Sequence, residues 1–166
     1  NRSDFDLKQH IKFSGSDLSI FDEETRKKIV PYVVAEPSQG VERAFLVFMF
    51  DAYEYDKKRE NVVLKLHPKL APVKAGVFPL VNKLDNEAKK IYDSLKKDFN
   101  CIFDKSGSIG RRYARADEAG IPYCITVDFD TLKDKAVTVR NRDDTKQVRV
   151  PIKDLREAIG KLINNS

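Results

Sequence analysis

The residues best suited to chemistry are concentrated in one stretch, where Glu36, Pro37, Ser38, Gln39 and Gly40 form a polar loop and Val41, Glu42 and Arg43 open a helix. Arg43 is a cation in a first helical turn, at the positive end of the macrodipole, where anions are the stabilising partners. Two readings of that placement stand side by side. In one, a carboxylate from elsewhere in the fold pairs with Arg43 as a structural ion pair. In the other, Arg43 and the free amides after Gly40 receive a phosphate, while Glu36 and Ser38 hold a small ammonium-bearing ligand.

A second concentration lies farther along. Asp104, Lys105, Ser106, Gly107 and Ser108 precede Arg111, Arg112 and Arg115, and a later loop carries Asp128, Phe129 and Asp130. Both fall beyond the carboxyl ends of expected parallel strands, where ligands gather in open sheets. Arginines at a helix start again oppose the dipole, and an aromatic flanked by acids is a poor core residue. Unpaired RNA bases suit both features, because they stack on aromatic or guanidinium planes and bond side chains through their edges. Phe129 is then the platform, Arg111 a donor to a cytosine carbonyl, and Asp128 or Asp130 an acceptor for its exocyclic amine. The competing reading has Phe129 capping the core and the arginines paired with Asp104, Asp117 or Glu118. In the final hairpin Arg140, Arg142 and Arg149 add charge. Alternation there puts Val137, Val139, Val148 and Val150 on one face and Arg140, Gln147 and Arg149 on the other, a face able to follow a phosphate backbone. The loop at residues 106–110 lacks both the Gly-Lys-Ser/Thr ending of a P-loop and the spacing of a dinucleotide fingerprint.

The elements that must hold these residues follow from periodicity. Val41, Ala44, Phe45, Phe48, Met49 and Ala52 recur at helical spacing while Leu46, Val47 and Phe50 fill the other side, so this helix is expected to be covered all round. Residues 4–13 and 29–35 read as strands, with a connection between them. A charged run at residues 54–61 and the prolines Pro68, Pro72 and Pro79 read as a linker, with a domain boundary near residue 62. Beyond it the periods alternate: strands at 73–81, 101–103, 123–129, 136–140 and 146–150, and helices at 86–99, 108–119 and 152–163. Strand, helix, strand, helix, strand requires parallel pairing, and the short turns at 132–135 and 141–145 permit only hairpins. The expected product is an α/β unit, a mixed five-stranded sheet with three helices.

Composition narrows the partners less sharply. The formal net charge of the 166 residues is +5 with both signs abundant, a mild bias toward an anionic partner. Cys101 and Cys124 lie far apart with no histidine at ligand spacing, which indicates neither zinc nor a disulfide framework. His10 and His67 have no Ser or Cys partner that the sequence places. The absence of a membrane-length apolar run makes the cytoplasm the default. The chain opens on a non-Met residue within a strand-like pattern, and it is therefore expected to be a fragment.

Glu36, Pro37, Ser38, Gly40 and Arg43, running into an apolar helix, resemble the third signature motif of class II aminoacyl-tRNA synthetases in the form carried by glycyl-tRNA synthetases. Residues 2–10 and 14–18 resemble the strand region preceding that motif, and residues 66–72, 106–113 and 126–131 resemble the anticodon-binding domain. The resemblance covers essentially the whole chain in order and points to the dimeric archaeal and eukaryotic type. It implies that residues 1–61 end an antiparallel catalytic domain and that residues 62–166 form the anticodon-binding domain. It further implies that glycine is activated with ATP as co-substrate and transferred to glycine tRNA, in a cytoplasmic homodimer without membrane attachment. Mg2+ is expected in the full enzyme, with no metal ligand identifiable in these residues.

Carried over by position, Glu36, Pro37, Ser38, Gln39 and Gly40 line the glycine pocket, the Glu36 carboxylate holding the substrate ammonium. Arg43 is the catalytic cation on the ATP phosphates, with Gly40, Val41 and Glu42 alongside the nucleotide. Arg111 and Phe129 contact the anticodon, whose second and third bases are cytosine, and Arg112, Arg115, Asp128, Asp130, Arg140 and Arg142 share that surface. The first two class II motifs are absent, so half the active-site wall is missing. A non-catalytic synthetase-like accessory protein and a generic RNA-binding module are the competing classes. Retention of Glu36, Ser38 and Arg43 argues against the accessory protein.

Overall fold

The computed structural model describes residues 3–33 and 37–165, which form two compact units, Asn1–Ala44 and Phe45–Ser166. The division falls earlier than the boundary expected near residue 62. The reason lies in the charged run at 54–61, which is the tip of a hairpin and not a linker. Strands β3 (Tyr53–Asp56) and β4 (Asn61–Leu64) pair antiparallel in the second unit. The Asp56 carboxylate accepts the Lys58 and Arg59 amides at 2.8 and 3.2 Å, and Glu60 takes a positive φ. Helix α4 (Ile109–Glu118) packs against β4 of that hairpin.

In the first unit, residues expected as a strand form helix α1 (Phe5–Ser14). Gly15 in the left-handed region returns its N–H to the Ile11 carbonyl and stops the helix. Leu7 and Ile11, read as a broken alternation, are four apart and share a helical face. The short strands β1 (Ile20–Asp22) and β2 (Lys27–Ile29) pair antiparallel, and Val33 bridges Ser3. Strand β2 thus ends at Ile29, where the strand expected at 29–35 was to begin; Val34 and Ala35 lie outside the described residues.

Helix α2 (Val41–Ala52) forms where its spacing predicts. It is not covered all round: among the described residues of this helix only Ala52 is buried, and Phe50 is 75% exposed. Periodicity reports which side chains are apolar and not whether the fold covers them.

The second unit holds the five-stranded sheet, in the order β6 (Cys101–Phe103), β5 (Ala75–Pro79), β7 (Tyr123–Val127), β8 (Ala136–Asn141), β9 (Gln147–Pro151). Strand β5 runs parallel to both neighbours, and β7–β8 and β8–β9 are antiparallel hairpin pairs. Helices α3 (Asp85–Leu95) and α6 (Leu155–Asn164) cover one face, with Leu84, Ala88, Ile91, Leu95, Leu155 and Ile159 against Val77, Ile125, Val137 and Val139. Helix α4 (Ile109–Glu118) covers the other, with Ala116, Ile109 and Tyr113 against Phe78, Cys124 and Ile102. Gly76 lies under the Phe78 ring, whose Cζ would stand 2.6 Å from an added Cβ. A short helix α5 (Thr131–Asp134) joins β7 to β8.

Both cysteines are buried strand residues. Burial pushes the Cys101 thiol up to about 11 and the Cys124 thiol up to about 12, which leaves little reactive thiolate at neutral pH. The native chain at pH 8 is therefore expected to resist a thiol-titrating disulfide reagent for many minutes and to expose two thiols at once in denaturant. Rapid native reaction of Cys124 would contradict its placement.

Candidate nucleic-acid interface

The chain leaves β5 for β6 on one side and returns from β6 to β7 on the other, with α3 and α4 on opposite faces. The carboxyl ends of β5 and β7 therefore form a topological switch point, the place where open α/β sheets bind ligands. The Leu80 amide donates to the Val127 carbonyl at 2.8 Å and closes the seam between them. Three loops rise on this rim, after β5, β6 and β7.

After β6, Ser108 caps α4 by accepting the Arg111 amide at 3.4 Å, and Gly107, at φ +75°, turns the chain into it. Of the three arginines that follow, only Arg111 is exposed with no hydrogen bond or ion pair of its side chain among the described residues. Arg115 is exposed, with its Nε donating to Asp104 at 3.2 Å and its Nη2 to the Ser106 carbonyl at 2.6 Å.

Arg112 corrects the sequence expectation. It is buried, and its guanidinium donates to the Pro79 carbonyl at 2.5 Å and, more weakly, to those of Ser108 and Leu80. Arg140 and Arg142 are buried too. Arg140 forms a two-pronged pair with Asp117 at 2.8 and 2.9 Å and stacks on the Tyr113 ring. Arg142 is 1% exposed and donates to the Gly120 and Leu66 carbonyls, both at 2.9 Å, and to the Asp143 carboxylate. These three are fold residues with no face toward solvent. On the strand face that carries Arg140, that residue is covered by Asp117 and Tyr113 of α4, while Gln147 and Arg149 stay exposed.

After β7, Phe129 is 49% exposed and Asp130 is exposed, 3.4 Å from Lys133. Asp128 is engaged inside the fold. It accepts from the Thr131 amide and hydroxyl at 2.9 and 3.0 Å, from Thr138 at 3.3 Å, and from Arg149. Partial burial would raise its carboxyl, but the Arg149 guanidinium and the Thr131 donors hold it below the usual carboxylate range. Asp128 is therefore a poor acceptor for a base compared with Asp130.

After β5, Val81, Asn82 and Lys83 line, together with Phe129, an open cavity of about 520 Å3. Sequence reasoning names the loops after β6 and β7 and misses this one. The signal was available: these residues directly follow the first parallel strand and precede a helix.

In the first unit, Glu36 lies outside the described residues. Pro37, Ser38, Gln39 and Gly40 form an exposed irregular loop, and Val41, Glu42 and Arg43 are the exposed first turn of α2, whose opening bond runs from the Ala44 amide to the Gly40 carbonyl at 3.0 Å. No described residue forms an ion pair with Arg43, which leaves the structural ion-pair reading without a described partner. Nor do the described residues bring together three His, Cys, Asp or Glu side chains able to hold a metal ion. No helix among them is long and apolar enough to cross a membrane.

The chain is 52% identical over 158 residues to the glycine–tRNA ligase of Acetivibrio thermocellus, covering 93% of this chain and 34% of that protein. It is 47% identical over 166 residues to that of Clostridium tetani, covering 98% and 36%. It thus spans about a third of the length of the curated relatives it matches. The crystal structure of the RNA binding domain of threonyl-tRNA synthetase from Cryptosporidium parvum Iowa II superposes with a TM-score of 0.55 at 25% identity, over 58% of this chain and 25% of that one. Residues 74–162, which contain the whole sheet and all three rim loops, match the family described as the anticodon binding domain, and the chain belongs to that family.

Proposed function

We propose that the chain is the C-terminal, anticodon-reading part of a glycine–tRNA ligase, which activates glycine with ATP and charges glycine tRNA. The observation carrying this reading is identity near one half to named glycine–tRNA ligases along nearly the whole chain, with an anticodon binding domain over the sheet. The apolar surface of α2 supports it as well, since a longer protein would supply the cover that Phe45, Val47 and Phe50 lack here. The matched relatives are bacterial, so they lend no support to an archaeal or eukaryotic origin. Homodimerisation of the parent protein stays part of the proposal.

At the rim, Arg111 and Phe129 are the anticodon contacts, with Asp130 and Arg115 beside them. In the first unit, Arg43 and the opening amides of α2 hold an ATP phosphate, with Gly40, Val41 and Glu42 along the nucleotide. Charge and amides fixed in advance at a transferring phosphate lower the barrier by electrostatic stabilisation. Glu36, Pro37, Ser38, Gln39 and Gly40 line the glycine pocket. The exposed, unpaired state of Arg43 supports this assignment, because a cation at the positive end of a helix dipole is stabilised when both share an anion.

Competition against labelled glycine tRNA tests the reading. Unlabelled glycine tRNA is expected to displace it at much lower concentration than tRNAs for other amino acids, and equal displacement by all of them would overturn it. The chain alone is expected to show no glycine-dependent ATP–pyrophosphate exchange, because it spans only about a third of the length of the ligases it matches. Exchange at a normal rate would refute that.

A further inference from the structure

We propose that the cavity bounded by Val81, Asn82, Lys83 and Phe129 receives one unpaired anticodon base, and that Asn82 determines which base is accepted. This rests on the anticodon reading above, in which Phe129 is already a contact, and adds Asn82 and Lys83 to it as residues that reading does not contain. The cavity, about 520 Å3 and open to solvent, sits at the switch point between the ends of β5 and β7. One wall is the half-exposed Phe129 ring, a stacking platform for any base. Asn82 and Lys83, which also line the cavity, begin the turn Asn82–Leu84 that leads into α3.

The polar side chains there are free, as Arg111 is and as the other rim cations are not. Around the rim Lys105 pairs with Asp85, Lys133 with Asp130, Arg115 with Asp104 and Arg149 with Asp128. The Asn82 amide and the Lys83 ammonium have no hydrogen bond or ion pair among the described residues, although both line the cavity. A carboxamide offers an adjacent donor and acceptor, which match the N3 and exocyclic amine of a cytosine stacked on the ring. Lys83 can only donate, and it suits the phosphate of the nucleotide held there.

The test uses this chain, its Asn82→Ala and Lys83→Ala variants, and glycine tRNA transcripts each carrying one replaced anticodon base. Asn82→Ala is expected to weaken binding to the unaltered tRNA about tenfold and to abolish discrimination at one anticodon position while keeping it at the others. Lys83→Ala is expected to weaken all transcripts alike and to reduce the salt slope by about one. Both side chains are exposed, and unchanged circular dichroism establishes that the variants fold. If wild type discriminates the cytosines and Asn82→Ala binds every transcript unchanged, or weaker by one common factor, the cavity proposal is overturned and anticodon reading stands. If Lys83→Ala leaves the slope unchanged, the lysine is removed from the site. If wild type discriminates no replaced base, the anticodon reading falls and this site falls with it.

Discussion

Replacing Asp117 with alanine is expected to lower the unfolding free energy by about 3–5 kcal/mol, the usual cost of removing one partner from a buried ion pair. Asp117 is 2% exposed. Its two oxygens meet Arg140 at 2.8 and 2.9 Å and Arg59 at 3.1 Å. Once the carboxylate is gone, the Arg140 guanidinium is left charged beneath α4 against the Tyr113 ring, with no carboxylate to compensate it. Arg59 loses less, because Asp56 stands 2.9 Å from its Nε and it also donates to the Arg142 and Asp143 carbonyls. Urea denaturation followed by circular dichroism measures the loss. The double change Asp117→Leu with Arg140→Met is expected to recover most of it, since an apolar pair of similar volume removes the stranded charge. A single-variant loss under about 1 kcal/mol would mean that the pair is open to water.

The second large effect separates two adjacent arginines. Arg111→Ala is expected to weaken binding to glycine tRNA by about 1–3 kcal/mol and to leave stability unchanged, because the side chain is exposed and makes no described bond. Arg112→Ala is expected to do the reverse. Its guanidinium donates to the Pro79 carbonyl at the seam of the sheet, and buried carbonyls left without donors cost about 1–3 kcal/mol of stability. Measuring affinity and urea midpoint on both variants checks the pair. If Arg112→Ala were the binding variant and Arg111→Ala the unstable one, the orientation of α4 would be wrong.

These two arginines also show how far the sequence is legible. Their position on the first turns of a helix beyond a strand can be read directly, and so can the strands and helices of the sheet, whose periods switch cleanly between two and 3.6. Which arginine faces out cannot. Each of Arg112, Arg140 and Arg142 is held by at least one partner more than twenty residues away, such as Pro79 for Arg112, Asp117 for Arg140 and Gly120 for Arg142, and local spacing carries no record of them. The same blindness explains the charged run at 54–61. Arg59 and Asn61 satisfy themselves on Asp117 and on the Ala114 carbonyl, so a segment that reads as a solvated linker is a docked hairpin. Residues 4–13 fail for a different reason: four apolar positions in ten fit either period, and Gly15 decides for the helix.

The role of the rim depends on whether its loops distinguish bases. The most direct measurement is the affinity of this chain for glycine tRNA and for the same tRNA with both anticodon cytosines replaced, at one fixed salt concentration, since phosphate contacts alone would bind the two alike. A loss of at least tenfold on replacement is the predicted result. Equal affinity would reduce the rim to a basic surface and contradict the assignment of Arg111 and Phe129.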